Sequence, residues 1–366
     1  MRRYPELDGL RGIAASVIVL YHLRFTRSFP LGQTAVDLFF VLSGFLITRG
    51  LIVEAGRPGW LHAFYSRRIR RIWPAYYLAM ALVVALNPWL PKPEPLAEWW
   101  RFATFTPFVS RYWHVEPSVF SRLFYHAWTL AIEEQFYLAW PLILLVLGRR
   151  GLAVACAALI VLPAWLRAAD GLSPNLLLTR CEGLALGAAL ALWRGRDERP
   201  FGRRGRMALL GLALLMLSVP ILPGSLQILR LNLLFAALVG LVIDASGHRF
   251  LAFLRSPALS ALGRVSYGLY LYHPIVFALV TVAHRRLGLP GSLGWDVVKV
   301  ALSVAVAAAS WRWVESPFLK RRRRASPGES RHPVGWAPPT IPHSAIPSGH
   351  WPQATGHSQR STAPPS

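Results

Sequence analysis

Residues 34–54 contain Val36-Asp37-Leu38-Phe39-Phe40-Val41-Leu42-Ser43-Gly44-Phe45-Leu46-Ile47, an apolar run that opens on a single carboxylate. A helix needs about 20 mostly apolar residues to cross a bilayer, and this segment supplies them. Nine further stretches read the same way: 8–24, 72–88, 127–147, 151–167, 175–194, 206–223, 228–245, 262–283 and 295–317. The stretch 206–223 contains Pro220. Pro163 and Pro274 are expected to kink their helices rather than end them, because neighbouring helices satisfy the freed carbonyls. The expected fold is all-α, a polytopic membrane protein with about ten transmembrane helices.

Composition points the same way. Hydrophobic residues make up 54% of the 366-residue chain and charged residues 16%, against roughly 25% charged in soluble domains. Mean hydropathy is +0.38. A soluble core could not hide that much apolar surface, whereas lipid is a solvent for it. Forty Lys and Arg against 17 Asp and Glu give a net charge of +23. So basic a chain raises the question of nucleic acid. The cations, however, cluster between the apolar runs, as in cytoplasmic loops, and no nucleic-acid partner is expected. Cys156 and Cys181 lie in apolar stretches. They offer neither a disulfide framework nor metal-ligand spacing, so buried inert thiols and no metal are expected. Arg2 and Arg3 resemble a signal-peptide n-region, but Asp8 and Arg11 interrupt the apolar core and no small-residue cleavage site follows. The first span is read as retained.

Counting Lys and Arg sets the orientation. About 23 fall on the side holding the N-terminus, 55–71, 148–150, 195–205, 246–261 with nearby Arg264, and 318–324, and about ten on the other if helix-end residues are included, which places both termini in the cytoplasm. The longest outer loop, 89–126, carries Trp99, Trp100, Tyr112 and Trp113. Aromatics at that level suit the lipid interface, and a sugar-stacking platform is the sharper reading. Two regions result, a membrane domain over 1–320 and a tail over 321–366. The tail starts with Arg321-Arg322-Arg323-Arg324, and nine of the 29 prolines lie in 325–366 with many serines. It is too poor in clustered apolar residues to fold, and is expected to be disordered and cytoplasmic.

Ionisable groups inside apolar spans are costly and usually face the bundle interior or a wet cavity. Four segments concentrate them. Arg11 and His22 lie eleven residues apart in the first span, about 16 Å along a helix and only about 20° out of phase, so they share one stripe. The plainer alternatives are an arginine snorkelling to the interface and a histidine bonded to a neighbouring helix. Asp37 opens the second span at the depth of His22, either favoured by the helix dipole or orienting a histidine. In Phe64-Tyr65-Ser66-Arg67-Arg68-Ile69-Arg70-Arg71-Ile72-Trp73-Pro74, Arg67, Arg70 and Arg71 are expected on one face. Such a cluster either binds anionic lipid or clamps phosphate in the bidentate manner of arginine. In His126-Ala127-Trp128-Thr129-Leu130-Ala131-Ile132-Glu133-Glu134-Gln135-Phe136-Tyr137, the adjacent acids Glu133 and Glu134 point to different faces.

These motifs, with Thr179-Arg180-Cys181-Glu182-Gly183-Leu184 and Ser266-Tyr267-Gly268-Leu269-Tyr270-Leu271-Tyr272-His273-Pro274, resemble the bacterial integral-membrane acyltransferase family 3. The resemblance runs over about 4–318, in order and with compatible spacing. It implies a multi-pass bacterial inner-membrane enzyme that moves an acyl group, often acetyl, from acyl-coenzyme A to a hydroxyl of a cell-envelope or secreted glycan or glycolipid. The family's critical Arg and His fall on Arg11 and His22. Its basic motif falls on Arg67, Arg68, Arg70 and Arg71, and its acidic motif on Glu133 and Glu134. Where the family often carries Asp two residues after the arginine of the sixth span, this chain has Glu182. Some members append a C-terminal esterase-like domain; here the tail is read in its place.

Acyl transfer to an alcohol needs a base, an oxyanion partner and a hold on the donor. His22 is assigned the first task, oriented by Asp37, Glu133 or Glu134 as acids orient histidines in hydrolase triads. Arg11 stabilises the oxyanion or holds a donor phosphate. Arg67, Arg68, Arg70 and Arg71 suit the phosphates of coenzyme A at the cytoplasmic mouth. An acyl-histidine intermediate stays open. A donor threading from inside to an acceptor outside predicts a polar-lined cavity across the bundle. The competing classes are a secondary transporter, which would show inverted repeats and broken helices in matching halves, and a protein that flips or senses sugars without chemistry.

Overall fold

A computed structural model describes residues 3–25, 32, 34–89, 96, 99–109, 122–169, 172–173, 175–220, 222 and 224–320. Tyr112, Trp113 and the tail after Lys320 lie outside the described residues. The described part is all-α. The long elements are α1 (Pro5–Leu20), α2 (Ala35–Glu54), α3 (Trp60–Leu86), α5 (Trp128–Ala169), α7 (Glu182–Arg194), α8 (Gly202–Ser218), α9 (Gly224–Asp244), α10 (Pro257–Arg286) and α11 (Leu293–Ser310). Short helices α4 (Trp99–Ala103), α6 (Leu177–Arg180) and α12 (Ser316–Lys320) fill the connections.

Local chemistry explains several boundaries. Pro5 sits at the start of α1 with Glu6 and Asp8 in the first turn, where a missing N–H costs nothing and negative charge meets the helix dipole. Ser256 caps α10 by accepting from the Leu259 N–H, with Pro257 next in line. Within α5 the chain breaks at Gly148, whose φ of +64° a residue with a Cβ rarely adopts. The break falls between the expected spans 127–147 and 151–167. Helix α5 continues through Pro163 and α10 through Pro274, as expected.

Each of the ten expected segments falls on helix, with three differences. Helix α3 begins at Trp60, so much of the expected 55–71 loop is helical and the basic cluster rides on the span itself. Pro220 lies beyond the end of α8 at Ser218, since its ring cannot continue a helix. The stretch 175–194 is interrupted at Cys181, between α6 and α7. Among the described residues, six helices are long and apolar enough to cross a membrane: Ala35–Glu54, Trp60–Trp89, Leu123–Ala169, Leu226–Asp244, Pro257–Arg286 and Leu293–Leu319. The chain is thus a multi-pass membrane protein. Helices α7 and α8 have 13 and 17 residues and α1 carries charge, which is why they fall short of that measure.

Backbone contact between helices organises the bundle. Helix α2 packs on α7 and α1 on α10. A Cβ built on Gly44 would stand 2.0 Å from the Leu184 carbonyl oxygen, and one on Gly187 would stand 2.0 Å from that of Val41. Only a hydrogen fits at either place. This is the small-residue packing by which membrane helices gain dispersion contacts that lipid cannot supply. Gly263 meets the Asp8 carbonyl in the same way and binds α10 to α1. These two pairs carry the site. Cys156 and Cys181 are buried and free.

Candidate active site

Arg11 lies midway along α1. Its Nε faces Ser266 Oγ of α10 at 3.4 Å, and its guanidinium lies 5.8 Å from the Phe39 ring centre on α2. After Leu20 the helix widens into a π-helical turn, Tyr21–Phe25, which carries His22. Such turns free carbonyl groups and recur at functional sites. Here Ile18 O accepts from His22 Nδ1 at 2.8 Å. That bond places the proton on Nδ1 and leaves Nε2 as a bare acceptor, the state a general base requires. His22 is exposed.

Arg11 opens into a cavity of about 300 Å³ bounded by α1, α2, α3, α5 and α10. Four guanidiniums, from Arg11, Arg49, Arg68 and Arg71, line it against one carboxylate, Glu133. Ser43 Oγ donates to Glu133 Oε1 at 2.6 Å. Arg68 lies 5.4 Å from the Tyr137 ring centre, and Arg49 bonds Glu198. Arg71 makes no hydrogen bond or ion pair among the described residues. An arginine-rich cavity inside an apolar bundle is electrostatically incomplete and attracts an anion.

The other expected residues part company. Arg67 pairs with Glu54 and Arg70 donates to Ser66 O at 2.9 Å, so the cavity face of the basic cluster is Arg68 with Arg71, one turn apart. Glu133 and Glu134 do face different ways. Glu134 Oε2 accepts from Trp73 Nε1 at 3.2 Å, and its Oε1 is buried without a partner among the described residues. Asp37 is fully buried and is not presented to His22 by any described hydrogen bond. Arg180 grips it with Nε at 3.1 Å and Nη2 at 2.9 Å, and Asn232 Nδ2 adds a contact at 3.3 Å. Glu182 pairs with Arg167 at 2.8 Å.

Nor does the cavity reach His22. Thr129 and Tyr270 line it, their hydroxyls bonded at 2.7 Å, while Tyr270 OH also donates to His126 O at 2.8 Å. Beyond Tyr270 stand two histidines to which sequence reasoning gave no role. His273 has ring centres of Tyr270 at 6.0 Å, His22 at 5.0 Å and His126 at 5.5 Å. Their signal was available, since a histidine within an apolar span singled out His22. Trp99 and Trp100, at the start of α4, are exposed.

These features define a class: a membrane-embedded helical bundle with an arginine-lined cavity and, near its Tyr270, a cluster of three imidazoles. A family model described as an acyltransferase domain matches residues 4–312, and the chain belongs to that family, acyltransferase family 3. It is 30% identical over 359 residues to the peptidoglycan O-acetyltransferase OatA of Listeria monocytogenes, covering 87% of this chain and 56% of the relative. It is 29% identical over 359 residues to the O-acetyltransferase OatA of Staphylococcus aureus, covering 88% of this chain and 58% of the relative. The chain therefore spans less than two thirds of the length of these relatives. No solved structure matches it.

Proposed function

We propose that this protein transfers a short acyl group, acetyl first among them, from acyl-coenzyme A to a hydroxyl of a cell-envelope carbohydrate. The observation that carries the reading is the cavity in which Arg11, Arg68 and Arg71, beside the Glu198-bonded Arg49, are lined up with Glu133 inside an apolar bundle. Buried guanidiniums demand anions. The donor brings phosphates that arginine binds in bidentate fashion. The acetyltransferase names of the relatives favour acetyl, and the Listeria relative's peptidoglycan makes a cell-wall glycan the first acceptor to try.

Roles follow from reach. Arg11 and His22 are eleven residues apart on nearly continuous helix, which separates them by about 16 Å. The oxyanion forms on the oxygen of the thioester carbonyl attacked by the hydroxyl that His22 deprotonates, so Arg11 stands too far away to hold it. Arg11, Arg68 and Arg71 therefore hold the phosphates, and Glu133, fixed by Ser43, sets their spacing. The pantetheine arm carries the thioester past Thr129 and Tyr270 to His22. With the N-terminus and the basic loops in the cytoplasm, the donor enters from inside and the acceptor from outside. Asp37 and Glu134 act behind the site, as partners of Arg180 and Trp73.

The test is coenzyme A release from acetyl-CoA in membranes holding the wild type or His22→Ala at matched expression, with and without a cell-wall glycan extract. Release that needs both the extract and His22 is expected. Release indifferent to the substitution removes His22 from the chemistry. Bound but unconsumed acetyl-CoA with every extract turns the reading towards transport.

A further inference from the structure

Resting on the acyl-transfer reading, we propose that His273 is the proton partner of His22, a positioning residue that accepts the hydrogen bond of the protonated base, with His126 closing a three-imidazole array behind it. The array joins three parts of the chain: the π-helical turn after α1, the turn before α5, and the middle of α10. His273 is central, its ring centre 5.0 Å from that of His22 and 5.5 Å from that of His126.

Each ring has one nitrogen held by a backbone carbonyl. His22 Nδ1 faces Ile18 O at 2.8 Å, His273 Nδ1 faces Tyr270 O at 2.8 Å, and His126 Nε2 faces Leu271 O at 3.2 Å. A carbonyl only accepts, so each of these nitrogens carries the proton and the opposite nitrogen is a bare lone pair. His273 is 0% exposed and His126 8%. His273 Nε2 and His126 Nδ1 have no hydrogen-bond partner among the described residues. A histidine kept for packing alone is normally satisfied at both nitrogens, and a buried unmet acceptor is costly. A donor that arrives only during the reaction accounts for the arrangement.

The base supplies that donor. The acceptor O–H bond breaks as its oxygen bonds the thioester carbon, and the proton lands on Nε2 of His22. The His273 ring centre lies 5.0 Å away, so a turn of the His22 ring after the transfer brings the new N–H within charge-assisted hydrogen-bond reach of Nε2 of His273. When the tetrahedral intermediate collapses, the C–S bond breaks and its electron pair leaves on sulfur. The proton returns through His22 to the thiolate, giving the thiol of coenzyme A.

The experiment uses the full chain in nanodiscs with acetyl-CoA and soluble cell-wall glycan fragments. His273→Leu is expected to lower kcat about 100-fold, in the range of acid–base effects, with both KM values within about twofold of wild type. His273→Gln, whose amide oxygen still accepts, is expected to regain about tenfold of that loss. A rate series in mixed H2O and D2O should be curved for the wild type, with two protons in motion, and straight for His273→Leu. A His273→Leu protein within twofold of the wild-type kcat overturns the pairing, as does a wild-type series that is already straight. If His273→Leu does not elute as a folded protein, His273→Gln decides: kcat about tenfold down at unchanged KM supports the pair, and unchanged kcat overturns it. His22-dependent release indifferent to His273 sinks the pair alone. A wild type that binds acetyl-CoA without consuming it sinks the acyl-transfer reading, and the pair with it.

Discussion

Asp37 offers a sharp test, because sequence reading places it in the chemistry and the fold places it in a buried ion pair. Replacing it with Ala strands Arg180, itself 8% exposed, beside the Trp128 ring. At the observed 2.9 Å, the attraction at an effective dielectric of about 20 is about 6 kcal/mol. Desolvation of the carboxylate offsets part of this, so the net loss expected for breaking the pair from one side is about 3–5 kcal/mol. In a bundle of this size that lowers the apparent Tm by about 6–10 °C. Removing both charges with Asp37→Leu and Arg180→Met should recover at least half of the loss, because no stranded ion remains. The assay is intrinsic tryptophan fluorescence of detergent-solubilised protein at one fixed scan rate, since unfolding of such bundles is a rate as much as an equilibrium. Acetyl-CoA turnover is measured on the same samples. An Asp37→Ala protein with unchanged Tm, intact KM values and collapsed kcat would refute this reasoning and return Asp37 to the reaction.

Arg71→Gln and Arg68→Gln should each raise KM for acetyl-CoA about 10- to 100-fold, the worth of one charge-assisted bond. Arg67→Gln and Arg70→Gln, bonded elsewhere, should stay within about threefold; equal effects at all four positions would favour a diffuse lipid-binding role. Tyr270→Phe loses its bonds to Thr129 and His126 O, at a cost of about 1–2 kcal/mol. It should also raise acetyl-CoA consumption without acceptor, since Tyr270 both lines the cavity and neighbours His273; an unchanged leak shows that Tyr270 is no barrier. Gly187→Val forces side-chain atoms into the Val41 carbonyl and should abolish the monodisperse peak in size-exclusion chromatography, whereas the exposed Gly211→Val, with open space at its Cβ, should leave that peak in place.

Much of the fold is legible in the sequence because membrane insertion is a local property. Twenty consecutive apolar residues satisfy the bilayer whatever lies elsewhere in the chain, and the ten expected segments all fall on helix. Arg11, Glu133, Arg68 and Arg71, expected from their charge within or beside apolar spans, do come together at one cavity. Pairing was not legible. Asp37 and His22 look matched by depth, yet Asp37 belongs to Arg180, 143 positions away. His273 stood inside a quoted motif, but its neighbour His22 lies on another helix.

The sequence by itself determined the solvent of this protein, the number of apolar segments and the identity of the ionisable groups buried in them. Each of these depends on composition within a few helical turns. The tertiary structure alone decided which charges meet, because partner choice follows from helix contacts set by glycines such as Gly44 and Gly263. Sliding a helix by one turn, about 5.4 Å, would exchange every partner and leave the hydropathy unchanged.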